Sequence, residues 1–195
     1  MSSTDHQREW VLRAVQRYEL PLVRYAARLG LDGELARDCV QHGFLRLCEQ
    51  RVESLGQDLA PWLYAVVRNR AIDQLRRAKR EVLFLTNDDD GPHVNGFEHP
   101  FSHEPDPHEL TEQSELYALL RAMVDDLPAA QREIVLLWSE GFTHREIAEV
   151  TDRGEGAVRV QLHRTLGRLR DHATVKRWLR EEAKENVLVT EMKVG

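Results

Sequence analysis

At 195 residues the chain has room for one domain or two small ones, and its 42% apolar content is enough to build packed cores. Its 31% charged and 7% aromatic fractions suit a helical protein better than a β-sandwich or barrel, and no apolar run is long enough to span a membrane. A net charge of -6 argues against a protein that coats nucleic acid indiscriminately, but the charge is unevenly spread: from Glu81 to Leu120 there is no Lys or Arg, against ten Asp and Glu.

The polar start, Met1 to Glu9, lacks the apolar core of a signal peptide, so a cytoplasmic protein is expected. Cys39 and Cys48 form neither a disulfide framework nor a metal spacing, and Cys39 reads as a small buried residue on a helix. His93, His99, His103 and His108 group loosely in the middle of the chain, where a polar linker containing histidine explains them better than a metal site.

A first helix is expected around Trp10 to Leu29, closed by the turn Gly30-Leu31-Asp32-Gly33. A second follows from about Glu34 to Glu49. Ala36, Val40, Gly43, Phe44, Leu47 and Cys48 recur on it at the 3.6 period, while Asp38, Gln41, Leu45 and Glu49 fall on the other side. Gly56 and Pro61 bracket a short loop, and Pro61 starts a third helix reaching about Arg80.

Leu63, Val66, Val67 and Ala71 give that third helix a wide apolar side. Trp62, Asn69, Asp73, Arg76 and Arg80 fall within roughly a 60° sector away from it. Arg68, Arg70, Arg77 and Lys79 add positive charge. Such a surface is either a solvated basic face or one for nucleic acid, with arginines for phosphates and an aromatic and an amide for exposed bases.

Phe84 to Leu110 is dense in Asp, Gly and Pro and reads as an acidic linker, mobile in part. Beyond it, Leu116, Leu119, Leu120, Met123 and Leu127 mark a helix begun near Thr111. Pro128 starts the next, with Ile134, Leu137 and Trp138 inward and Gly141 as C-cap. Thr143-His144-Arg145-Glu146 is a capping-box sequence opening a short helix, and Thr151-Asp152-Arg153-Gly154 is a turn.

On the last helix Val158, Leu162, Leu166 and Leu169 form one stripe, with Gly156, Arg159, Val160, His163 and Arg164 opposite. A short capped helix, a tight turn and a second helix with a basic outer face make a helix-turn-helix pattern. An ordinary helical hairpin is the alternative. An outward Val160 between Arg159 and Arg164 suits a thymine methyl among phosphates and base edges.

The expected architecture is therefore all-α, with two small helical domains (residues 8–82 and 112–172) joined by a flexible acidic linker (83–111) and followed by a charged tail (173–195). Without a glycine-rich phosphate cradle, an acid–base pair or a metal spacing, no catalytic residue, cofactor or metal is expected.

Asp38-Cys39-Val40-Gln41-His42-Gly43-Phe44-Leu45, Trp62-Leu63-Tyr64, Asn69-Arg70-Ala71-Ile72-Asp73 and Arg76-Arg77 resemble region 2 of bacterial sigma factors. Leu127-Pro128-Ala129-Ala130-Gln131-Arg132-Glu133 and the helix-turn-helix through Leu169 resemble region 4. The lack of a region 3 and the short linker resemble the extracytoplasmic-function group of the sigma-70 family, over about 130 of the 195 residues.

The resemblance implies an alternative sigma factor that binds RNA polymerase core and directs promoter recognition and melting. It implies that Asp38, Gln41 and Leu45 meet the polymerase clamp helices and that the flap of the core is a further contact. It implies that Leu55, Trp62, Asn69, Arg76 and Arg80 lie at the melted non-template strand of the -10 element. The loop from Glu53 to Leu59 would hold a flipped base there, a step whose unstacking costs a few kcal/mol. Arg159, Val160, His163 and Arg164 would read the duplex -35 element. An anti-sigma factor, often membrane-anchored in the family, is an implied partner.

The chain departs from the family in having Leu55 where the base-binding loop usually carries an aromatic residue. It also has Ala157 and Gln161 where a threonine and a small or basic residue are common, and a tail from Thr174 to Gly195 past the family pattern. Two other classes remain open on the residues alone. A one-component regulator would bind a palindromic operator without polymerase. A protein-interaction adaptor would show no promoter-dependent activity with any partner.

Overall fold

The computed structural model describes residues 3–55, 58–85 and 112–178, and every regular element among them is helical. They are α1 (Ser3–Arg28), α2 (Gly33–Cys48), α3 (Val52–Leu55), α4 (Leu59–Leu85), α5 (Glu112–Asp125), α6 (Ala129–Ser139), α7 (His144–Thr151) and α8 (Glu155–Asp171). Residues 173–178 add a final helical stretch. The expected linker past Leu85, its four histidines and the tail past Trp178 lie outside the described residues. The chain divides into two compact units, one holding α1 to α4 together with residues 145–153, which carry α7 except for its first residue, the other α5, α6 and α8.

In the first unit α1, α2 and α4 pack on one another. Helix α1 runs through Pro21, which has no N–H to give the Arg17 carbonyl, an interior position that costs ~3 kcal/mol in an isolated helix. The apolar face around it offsets that cost: Leu22 and Ala26 are fully buried, with Ala14, Tyr25 and Ala27 nearly so. Gly30, at φ 111°, ends the helix in the left-handed region, its N–H bonding the Ala27 carbonyl at 3.0 Å. Asp32 then caps α2, its Oδ1 accepting the amides of Glu34 and Leu35 at 3.0 and 2.8 Å.

Ala36, Cys39, Val40, Gly43 and Leu47 form the buried stripe of α2. Cys48, expected in that stripe, is exposed instead: it is the last helical residue, one position past the last buried one, Leu47. Gly43 faces Val67 of α4 so closely that a β-carbon there would lie 2.9 Å from Val67 Cγ2. The rings of Tyr25 and Tyr64, 5.0 Å apart and inclined at 49°, join α1 to α4.

In the second unit α6 packs on α5 and α8. Pro128 occupies the N-cap of α6, just outside its first helical residue. At the other end Gly141, at φ 92°, donates to Trp138 O and Phe142 to Leu137 O, the paired bonds of a Schellman motif, and the Phe142 ring is buried beneath them. Trp138, expected to face inward, does not. It is 45% exposed, because α6 buries the consecutive residues Glu133 to Leu137 and the core stops before the next position.

Helix α7 begins one residue after Thr143, the register a capping box requires. It closes on Asp152, at φ 54°, with Arg153 N bonded to Ala148 O at 3.0 Å. Aspartate is among the few side chains that enter the left-handed region at modest cost, so the turn between α7 and α8 needs no glycine there.

Candidate nucleic-acid interface

Helix α8 separates its two sides sharply. Val158, Leu162 and Thr165 are buried, while Arg159, Val160, His163 and Arg164 are exposed, Val160 at 47%. Val160 is thus an apolar β-branched side chain held half in water, with the exposed Arg159 and Arg164 on the same helix. Leu166 and Leu169 of the expected stripe are only half-buried. Thr165, seven positions after Val158, takes the deeper place at 1% exposure. Periodicity offered that position, but the hydroxyl disguised it as a surface residue.

Helix α4 buries Leu63, Tyr64, Val67 and Ala71 and half-buries Val66. It turns Asn69, Asp73, Arg76 and Arg80 to solvent, with Trp62 half-buried on the first turn. Asp73, Arg76, Arg77, Lys79 and Arg80 line a shallow groove of ≈ 560 Å³, and Arg80 Nε donates to the Arg76 carbonyl at 3.3 Å. Four cations against one carboxylate make this end of the helix strongly positive, the condition for phosphate contact. Arg77 and Lys79, which the sequence showed only as added charge, share that groove.

The segment expected as a loop from Glu53 to Leu59 is partly helical. Residues 52–55 form the single turn α3, stabilised where Ser54 Oγ donates to Arg51 O at 2.6 Å and Ser54 N to the same carbonyl at 3.0 Å. Leu55 ends that turn half-buried, and residues 56–57 lie outside the described residues.

On α2 the outer face carries Asp38, Gln41 and Leu45, all exposed, with Leu45 at 66%. Leu45 is therefore no core residue. On the opposite side of α2, burial pushes the Cys39 thiol above its ordinary pKa, opposed in part by the Arg70 guanidinium and assisted by Asp38. Among the described residues no group of three or more His, Cys, Asp or Glu stands close enough to hold a metal ion, and no helix is long and apolar enough to cross a membrane.

Residues 14–81 match the sigma-70 region 2 family and residues 117–169 match sigma-70 region 4. The ECF RNA polymerase sigma factor SigL of Mycobacterium tuberculosis is 30% identical over 157 residues, covering 76% of this chain and 80% of SigL. The ECF RNA polymerase sigma factor SigE of Mycolicibacterium smegmatis is 28% identical over 150 residues, 76% of this chain, and the chain spans just 56% of that relative's length. Among solved structures, the sigma factor RpoE in complex with the anti-sigma factor NepR from Bartonella quintana shares the fold, with a TM-score of 0.60 and 22% identity over 82% of this chain and 93% of that one. The chain belongs to the extracytoplasmic-function group of the sigma-70 family, and is thus a non-catalytic sigma factor that directs RNA polymerase to promoters.

Proposed function

We propose that this sigma factor works in the cytoplasm through three separate faces. Residues 8–82 bind polymerase core and the -10 element, and residues 112–172 bind the -35 element. The exposed Asp38, Gln41 and Leu45 of α2 meet the clamp helices, with the second domain on the flap. Trp62, Asn69, Arg76 and Arg80 of α4, together with Leu55, meet the melted non-template strand of the -10 element. Arg159, Val160, His163 and Arg164 of α8 read the duplex -35 element. The observation that carries the reading is α8, whose buried Val158, Leu162 and Thr165 leave an outward surface of basic side chains around one apolar tip.

An anti-sigma factor is the expected regulator, since the similarly folded RpoE is held in complex with one. Covering the exposed Leu45 face would deny the polymerase its site. Run-off transcription with purified core polymerase on genomic fragments tests the assignment. Discrete promoter-specific transcripts that need both core and this chain support it. Sequence-specific duplex binding without core, and no transcript with it, would sink it.

A further inference from the structure

The four residues assigned to the -35 element do not exhaust the basic surface of α8. Gln131, Val160, Arg164, Arg168 and Arg170 line a continuous groove of ≈ 850 Å³ between the start of α6 and the outer side of α8. Within it, Arg168 Nη2 donates a hydrogen bond to Gln131 Oε1, across 37 positions of sequence. Both helices belong to the same compact unit.

The chemistry of that bond is informative. A guanidinium has five N–H donors, and one amide oxygen occupies one of them. A carboxylate at position 131 would tie the helices together more strongly but would neutralise the arginine. The neutral amide orients the fork and leaves its charge intact for another acceptor. Arg168 is itself exposed, so the remaining donors face solvent. The carboxylate in the same groove, Asp171, is paired with Lys176 at 3.0 Å.

Distance fits one acceptor in particular. Arg168 lies eight residues after Val160, about 12 Å along the helix axis at 1.5 Å per residue and turned by roughly 80°. A recognition helix meets base edges with its N-terminal residues. With Val160 at the base edges, a side chain about 12 Å further along lies past the bases that Val160 would touch, where backbone phosphate is the acceptor to expect, and Arg164 stands one turn nearer the bases.

We propose that Arg168, held in position by Gln131, is a DNA-phosphate contact flanking the recognition surface of α8. Arg168 binds the phosphate and Gln131 is a positioning residue. The proposal rests on the reading of α8 as the -35 helix.

The test uses holoenzyme reconstituted from core polymerase and full-length chain, and a promoter fragment selected by run-off transcription. Binding is measured across a salt series, with a scrambled -35 fragment alongside. Arg168→Ala should weaken binding several-fold on both fragments and lower the slope of log K against log salt by about one, the release of one phosphate's counterions. Arg168→Lys should restore the slope.

Gln131→Ala should weaken binding with the slope unchanged, because the charge remains and only its orientation is lost. Gln131→Glu should resemble Arg168→Ala, because a carboxylate cancels the guanidinium. A purely structural bond between α6 and α8 would make Gln131→Glu harmless. Wild-type affinity and slope in Arg168→Ala, alongside weakened binding in Arg159→Ala, would overturn the phosphate contact and leave the -35 reading standing. A loss confined to the intact -35 fragment would make Arg168 a base reader and overturn the assignment. If Arg159→Ala and Arg164→Ala are also indistinguishable from wild type, the reading of α8 itself fails. All variants are compared at matched circular dichroism.

Discussion

Replacing Gly43 by alanine tests the closest approach in the first unit. The new β-carbon would stand 2.9 Å from Val67 Cγ2, whereas carbon atoms are most comfortable about 3.5–4.0 Å apart. Valine on a helix has essentially one rotamer, so Val67 cannot swing aside cheaply, and α2 must instead move off α4. Overpacking of this kind costs roughly 1–3 kcal/mol, against which a helical Gly→Ala exchange returns about 0.8–1 kcal/mol.

The net expectation for Gly43→Ala is a loss of about 1 kcal/mol, a fall of about 4–8 °C in melting midpoint for a domain of this size. In a Val67→Ala background the obstructing methyl is gone and only the propensity gain remains, so the same substitution should now raise stability. Urea and thermal unfolding of the wild type, both single variants and the double variant complete the cycle. A stabilising Gly43→Ala in the wild-type background would refute the close contact, and with it the packing that presents the outer face of α2.

Arg159→Ala and Arg164→Ala should each leave the melting midpoint unchanged, since both side chains are exposed. Each should reduce promoter binding, by about 1–3 kcal/mol where a base contact is lost. Gel-shift titration with holoenzyme on intact and scrambled -35 fragments measures it. Leu45→Glu should abolish co-purification with core polymerase while the helical circular dichroism spectrum persists, because a residue 66% exposed contributes little to the fold. Broad unfolding of that variant would count against the face assignment.

Thiol titration with Ellman's reagent should show one fast cysteine, the exposed Cys48, and a second that reacts only on unfolding. The raised pKa of Cys39 carries a pH consequence with a definite sign. The folded thiol keeps its proton where the unfolded one loses it, so stability should decline as pH rises past the ordinary value of 9.0. A Cys39→Ala variant should flatten that decline in urea melts at successive pH values.

How much was readable in the sequence depended on whether a position is decided by the face of a helix or by its place along the axis. The outer faces of α2 and α8 were readable, because charged and polar residues at the 3.6 period leave the apolar positions no other side to bury. Trp138 and Cys48 were not. Each sits at the apolar phase of its helix but one position beyond the last residue that is buried, and periodicity carries no information about where burial ends. Thr165 fails in the opposite sense: its phase is right for the core, but composition argues against a hydroxyl there. Pro21 did not mislead: the helix expected from Trp10 to Leu29 runs through it, as α1 does, tertiary burial outweighing local propensity. The turn α3 was hidden for want of length, since four residues cannot display a period.

The pair formed by Gln131 and Arg168 marks the furthest limit of such reading. Either residue alone is ordinary: a glutamine near the start of α6 and one more arginine on a basic helix. Their meaning lies in the angle at which α6 crosses α8, which brings together side chains 37 positions apart. The packing of α6 on α8 draws on the apolar core of the unit, to which Ile134, Leu137, Val158 and Leu162 contribute completely or almost completely buried side chains with no chemistry of their own. The apolar residues that make the second unit stable are thus the ones that aim Arg168. A cavity-forming change among them, such as Leu162→Ala at ~2–5 kcal/mol, would disturb that aim before any charge is removed.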